Sequence, residues 1–288
     1  MRYRRRFLAL IGDESMQNPE SQLSPRVEKK AAKVIGRKLS LSLPRRIICD
    51  ILAISKAIPT VPVQRQMNVA SAAAARALVT RASDRPGWCA IFTKAYALTA
   101  VAFPELRRAY LSFPLAYLYE HPHSIASIAI ERQFEGENAV FWGHLRRPER
   151  QPLRDLQAKL CRYKNEPIRS IGLFRRVLRF GRLPWPVRRL AWWIGLNVSG
   201  SKRAAAMGTF GVSVYSGLGA ESLHPISPLT TILNYGPIAK DGSVSVRIVY
   251  DHRVVDGATV ARALAYLEGV LNGEIVAELE QEAQALAA

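Results

Sequence analysis

His252 and Asp256 stand four residues apart in the run Asp251-His252-Arg253-Val254-Val255-Asp256-Gly257. An imidazole takes a proton from a thiol, hydroxyl or amine near neutral pH, and a nearby carboxylate can hold it in one orientation and tautomer. Upstream, the run Gly208-Thr209-Phe210-Gly211-Val212-Ser213 offers a serine hydroxyl that could donate to a developing oxyanion. Base, carboxylate and donor are the parts that acyl transfer from a thioester needs. The competing reading is structural: His252 hydrogen-bonds to stabilise a strand-to-helix turn, and Asp256 caps the helix that follows. The spacing His-x-x-x-Asp is a weak signal alone, so the elements around it must decide.

Those elements are legible. Ser243 to Tyr250 is rich in β-branched residues and reads as a strand introduced by the turn pair Asp241-Gly242. Ala258 to Leu271 reads as a closing helix with Val260, Leu264, Leu267 and Leu271 toward a sheet, stopped by Asn272-Gly273. Thr209 to Tyr215 and Thr230 to Tyr235 supply two further strands. Earlier in the chain, periodicity predicts helices over Pro44 to Lys56, Ser71 to Thr80 and Trp88 to Val101, a strand over Val61 to Val69, short strand-like runs between Tyr110 and Val140, and a helix over 150–165. Strands and helices do not alternate regularly, which predicts an α+β layer fold. Residues 1–39 are polar and aperiodic and are expected to be a disordered or docking arm ahead of a single catalytic domain, 40–288.

Composition narrows the partners. The 288 residues carry 41 lysines and arginines against 23 acidic residues, a formal charge of +18, which suits phosphate-bearing partners such as CoA, anionic lipid or nucleic acid. No recognisable nucleic-acid-binding module is present, so specific nucleic-acid binding is not expected. Cys49, Cys89 and Cys161 are few and widely spaced, arguing against a disulfide framework and against zinc. His121 and His123 lack accompanying carboxylates or thiols, so no metal is expected. The short apolar run after the basic N-terminus ends too early for an export signal, and cytoplasmic localisation, with a possible peripheral membrane contact, is the expectation.

Three blocks resemble a known family, the catalytic domain of the dihydrolipoyl acyltransferases of 2-oxoacid dehydrogenase complexes, relatives of chloramphenicol acetyltransferase. They are Tyr250 to Ala258 (YDHRVVDGA), Gly208 to Gly219 (GTFGVSVYSGLG) and Arg45 to Pro59. The resemblance implies a chloramphenicol acetyltransferase-like two-layer sandwich of mixed sheet and helices. It also implies a homotrimer with active sites between subunits, and CoA thioester as a substrate. On the same basis His252 would be the general base, Ser213 the oxyanion donor, and Asp256 chiefly structural, pairing with an arginine of the opening helix, Arg45 or Arg46.

The chain departs from that pattern in three ways. No lipoyl-bearing module precedes the core, so no lipoyl attachment is expected in this chain and the acceptor is left open among thiol, hydroxyl and amine. Gly211 and Val214 stand where a threonine and a polar residue are usual. The segment at about 168–200, with Phe174, Arg175, Arg176, Arg179, Phe180, Trp185, Arg188, Arg189, Trp192 and Trp193, has no recognised counterpart. It reads either as core and interface or, over 174–193, as a face for an anionic membrane. The rival to an enzyme is an inactive acyltransferase-like scaffold or peripheral membrane-associated assembly protein.

Overall fold

The computed structural model describes residues 36–80 and 85–287, so most of the expected arm lies outside the described residues. The first half contains α1 (Leu43–Ser55), β1 (Thr60–Asn68), α2 (Ala70–Leu78), α3 (Trp88–Ala102), β2 (Arg108–Leu111), β3 (Tyr117–Glu120), β4 (Ile125–Phe134) and β5 (Glu137–Arg146). The second contains α4 (Leu153–Asn165), α5 (Gly172–Gly181), α6 (Trp185–Asn197), α7 (Gly200–Met207), β6 (Phe210–Val212), β7 (Thr231–Tyr235), β8 (Ser243–Asp251), α8 (Gly257–Asn272) and α9 (Glu274–Ala287).

Six strands form one mixed sheet in the order β1-β8-β7-β6-β4-β5. The β1/β8, β8/β7 and β4/β5 pairs are antiparallel, and β6 pairs in parallel with both β7 and β4. Alternation along β8 explains its place: Val244, Val246, Ile248 and Tyr250 enter the main core, as do Leu233 and Tyr235 of β7 and Phe210 and Val212 of β6. α3 and α8 complete that core from the helical side, Val260, Leu264, Leu267 and Leu271 all being buried as the spacing predicts. α3 is buried nearly all round, with Val101 near its end exposed.

The second face is not bare. Trp142 of β5 lies on it among Val177 and Phe180 of α5, Trp192 of α6 and Ile47 and Ile51 of α1, which form a partial third layer over the β4/β5 end, while Phe174 and Leu178 of α5 pack against Phe141 and Phe134 on the main-core side. A buried ion pair joins the layer's helices: Arg188 Nε and Nη2 donate to Asp50 at 2.6 and 3.2 Å, with the two side chains 6% and 4% exposed.

Two expectations need correcting. The chain does not finish its structure at Leu271, because α9 follows immediately, with Ile275 and Leu279 in the main core. Its apolar residues four apart carry the signal; the Asn272-Gly273 stop masks it. The β4/β5 hairpin is also longer than the short runs predicted, reaching Arg146, with Glu135 and Gly136 at positive φ making its turn.

Candidate active site

β8 is hydrogen-bonded on both sides, and the tie continues past its end: the Asp251 N–H donates to Thr230 O at 2.8 Å and the His252 N–H to Pro59 O at 3.0 Å. A rigid strand end therefore presents His252. The turn is clamped from within. Asp251, fully buried, accepts from the Arg253 N–H at 3.0 Å and from the guanidinium at 2.7 to 3.3 Å. That hydrogen bond holds the Arg253 guanidinium above its ordinary pKa, and the cation stacks on the Tyr110 ring at 4.4 Å. With its neighbours fixed in this way, His252 projects outward, its side chain 49% exposed.

His252 Nδ1 lies 3.6 Å from Asp256 Oδ1, just beyond hydrogen-bond length, and neither ring nitrogen has a hydrogen-bond partner among the described residues. Asp256 occupies the N-cap position of α8, yet its side chain makes no capping bond and faces the imidazole instead. That removes the main support for a purely structural reading of the pair. A Cβ at Gly257 would come within 2.9 Å of the Tyr250 hydroxyl oxygen, so the glycine leaves that hydroxyl room. It lets α8 begin directly against the strand, one residue after Asp256.

Ser213 follows β6, half-buried. Its N–H donates to Leu233 O at 3.2 Å and its carbonyl accepts from the Asn234 side-chain amide. The preceding Gly208 needs its positive φ of 87°, and a Cβ there would meet Ile125 O at 2.8 Å. Ser213 shares its sheet face with Asn234 and the buried Arg247, residues that sequence reasoning passed over. An arginine inside a strand of alternating pattern gives no sign from sequence of which neighbours it meets. Here it donates to Ser222 O and Gln64 Oε1.

The structure does not bring the expected residues together in one chain. By register Ser213 is level with Asn234, which pairs with Arg247, five residues before His252. At about 3.4 Å per residue and two strand spacings of about 4.8 Å, the two side chains are rooted on the order of 20 Å apart. Arg45 and Asp256 are not paired either: Arg45 is exposed, and its backbone N–H donates to Ser42 Oγ at 3.3 Å in the first turn of α1. The arginine-acid pair that α1 does make is Asp50 with Arg188. His121 is buried with its ring edge-on to Tyr119, and burial, then Arg203, hold it down to about 4. No group of three potential metal ligands gathers among the described residues.

Neither protein-family models nor curated proteins match this chain. Solved structures do. A probable dihydrolipoamide acetyltransferase from Listeria monocytogenes superposes with a TM-score of 0.61 at 18% identity, covering 86% of this chain and 97% of that one. The dihydrolipoamide acetyltransferase of Azotobacter vinelandii gives 0.59 at 18% identity, covering 85% and 94%; its catalytic mechanism has been investigated through a serine, a histidine and an asparagine. The cubic core of a pyruvate dehydrogenase multienzyme complex gives 0.58 at 18% identity, covering 90% and 99%. The fold of this chain is thus that of the 2-oxoacid dehydrogenase acyltransferase cores, as the three sequence blocks imply.

Proposed function

We propose that the protein is an acyltransferase that moves an acyl group from a CoA thioester to a thiol, hydroxyl or amine. The observation that carries this reading is His252 itself: an imidazole on a clamped strand end, with a carboxylate 3.6 Å from Nδ1 and Nε2 unpartnered. His252 Nε2 takes the proton of the acceptor as it attacks the thioester carbon. The negative charge gathers on the carbonyl oxygen, the C–S bond breaks, and the departing thiolate receives the proton back from the imidazolium. Asp256, 3.6 Å from Nδ1, offsets the charge that the ring acquires in this exchange.

Ser213 donates to the oxyanion, but from a second copy. A reacting carbonyl must lie about 3 Å from both base and donor, and the register separates these two by far more within one chain. A closed cyclic arrangement of identical copies, a homotrimer in this reading, brings one copy's His252 to the next copy's Ser213. Arg247 and Asn234, beside Ser213, then belong to the same shared site.

The test is release of CoA thiol from a panel of acyl-CoAs with dihydrolipoamide, alcohols and amines as acceptors, comparing the natural chain with His252→Ala. Turnover lost in the variant supports the reading; turnover with no donor and acceptor pair supports a scaffold. A second, independent reading concerns the outer face of α6, where Trp185, Val187, Leu190 and Trp193 are exposed beside Arg189. That face fits an anionic membrane surface, aromatic and aliphatic side chains entering the headgroup boundary and arginines meeting phosphate. Among the described residues no helix is long and apolar enough to cross a membrane.

A further inference from the structure

β7 is buried along its whole length, yet its fourth residue is an asparagine, whose amide must be stripped of water to lie there. Asn234 is fully buried, and its Oδ1 is shut off from solvent with no hydrogen-bond partner. Native structures rarely leave a buried polar atom in that state, so the side chain calls for an explanation. Its neighbour on β8 does not supply one: Arg247, level with it, turns its guanidinium to Ser222 O and Gln64 Oε1. The one hydrogen bond of the Asn234 side chain among the described residues runs from Nδ2 to the Ser213 carbonyl oxygen.

That bond stands where a strand bond belongs. In a parallel ladder a residue donates to the strand residue before its level partner and accepts from the one after it. Ser213 is level with Asn234 and makes the first of these bonds, its N–H donating to Leu233 O at 3.2 Å. The second would come from the Tyr235 N–H and is not made; the Asn234 side chain takes the carbonyl instead. Accordingly β6 ends at Val212, and the chain leaves the sheet at Ser213. With the peptides on both sides of Ser213 tethered to β7, the direction of its Cα–Cβ bond is set. The Ser213 hydroxyl makes no hydrogen bond among the described residues and is free to donate.

We propose that Asn234 is a positioning residue for the oxyanion donor: its amide N–H holds Ser213 out of the strand ladder and so aims the Ser213 hydroxyl at the reacting carbonyl oxygen. This rests on the acyl-transfer reading of Ser213 and adds the group that sets the donor's direction. A misplacement of about 1 Å can cost on the order of a hundredfold in rate, and outright loss of an oxyanion donor about 10²–10³.

Asn234→Leu tests this, because it keeps the branching of the side chain while removing the amide donor and the unpaired oxygen, and its thermal midpoint should be retained. Assayed by thiol release, its kcat should fall by roughly ten- to a hundredfold, with KM for the acyl-CoA within about twofold. The same substitution made in Ser213→Ala should lower kcat by less than about threefold, since no hydroxyl is left to aim; a merely structural role would lower both backgrounds alike. Asn234→Ala, which adds no bulk, takes the place of the leucine variant if that chain does not fold. A crystal structure of the variant reads the positioning without turnover, and Ser213 Oγ should have moved by about 1 Å or more. A kcat within about threefold of the natural chain's, an equal loss in the Ser213→Ala background, or an unmoved Ser213 Oγ would each overturn the proposal. Absence of turnover by the natural chain with every donor and acceptor overturns the acyl-transfer reading instead, and the crystal structure still decides whether Asn234 sets Ser213.

Discussion

If each active site takes His252 from one copy and Ser213 from the next, two defective chains should repair one another. His252→Ala lacks the base, and Ser213→Ala lacks the oxyanion donor, which commonly costs about 10²–10³ in turnover. The register places the two residues five positions and two strands apart, on the order of 20 Å, so no side-chain movement within a chain joins them. Co-assembled in equal amounts, a site is intact when its histidine comes from the serine variant and its serine from the histidine variant. A closed trimer that holds both variants has one such site whichever variant is in the majority, so about a third of its sites and about a third of natural turnover. Co-expressing differently tagged variants, purifying the doubly tagged species and assaying thiol release measures it. A hybrid whose activity stays at the mean of its parents, well under a hundredth of the natural rate, would refute the shared site.

Other outcomes follow from single features. Ser213→Ala alone should lower kcat by about 10²–10³, and His252→Ala should lower it further, both read by thiol release. Asp50→Ala leaves Arg188 buried without its partner and should cost about 3–5 kcal/mol in urea unfolding, most of it recovered by pairing Asp50→Leu with Arg188→Met. His121 and His144 are both held down to about 4 against an unfolded value near 6.5. Between those pH values the unfolded chain binds protons that the folded one refuses, so stability is full above about pH 6.5 and falls toward pH 4. Thermal midpoints across that range should drop, and drop less in His121→Gln. Sedimentation with phosphatidylserine vesicles should carry the natural chain down more than Trp185→Ala with Trp193→Ala; equal sedimentation removes the membrane reading.

Sequence was enough wherever neighbours along the chain set the structure. The alternation of β8, the apolar face of α8 and Pro44 at the start of α1 each act within a few residues, so type and spacing reveal them. The fold class followed from their mixture, and the family blocks from short motifs on those elements. α9 escaped because a real stop at Gly273 is followed at once by a new start, and only its packing against α2 and α8 shows that the chain turns back into the core.

The candidate site divides in the same way. His252 and Asp256 are neighbours on one turn, and their approach is a local consequence of a strand end meeting a helix start. The clamp of Asp251, Arg253 and Tyr110 joins residues from different elements, and the pairing of Arg188 with Asp50 spans the chain, so composition shows the charges without showing which meet. The distance between Ser213 and His252 is decided by strand order and register alone. Hydrogen bonding between strands far apart in sequence fixes which residue stands level with which, and it puts Ser213 and His252 toward opposite ends of these strands.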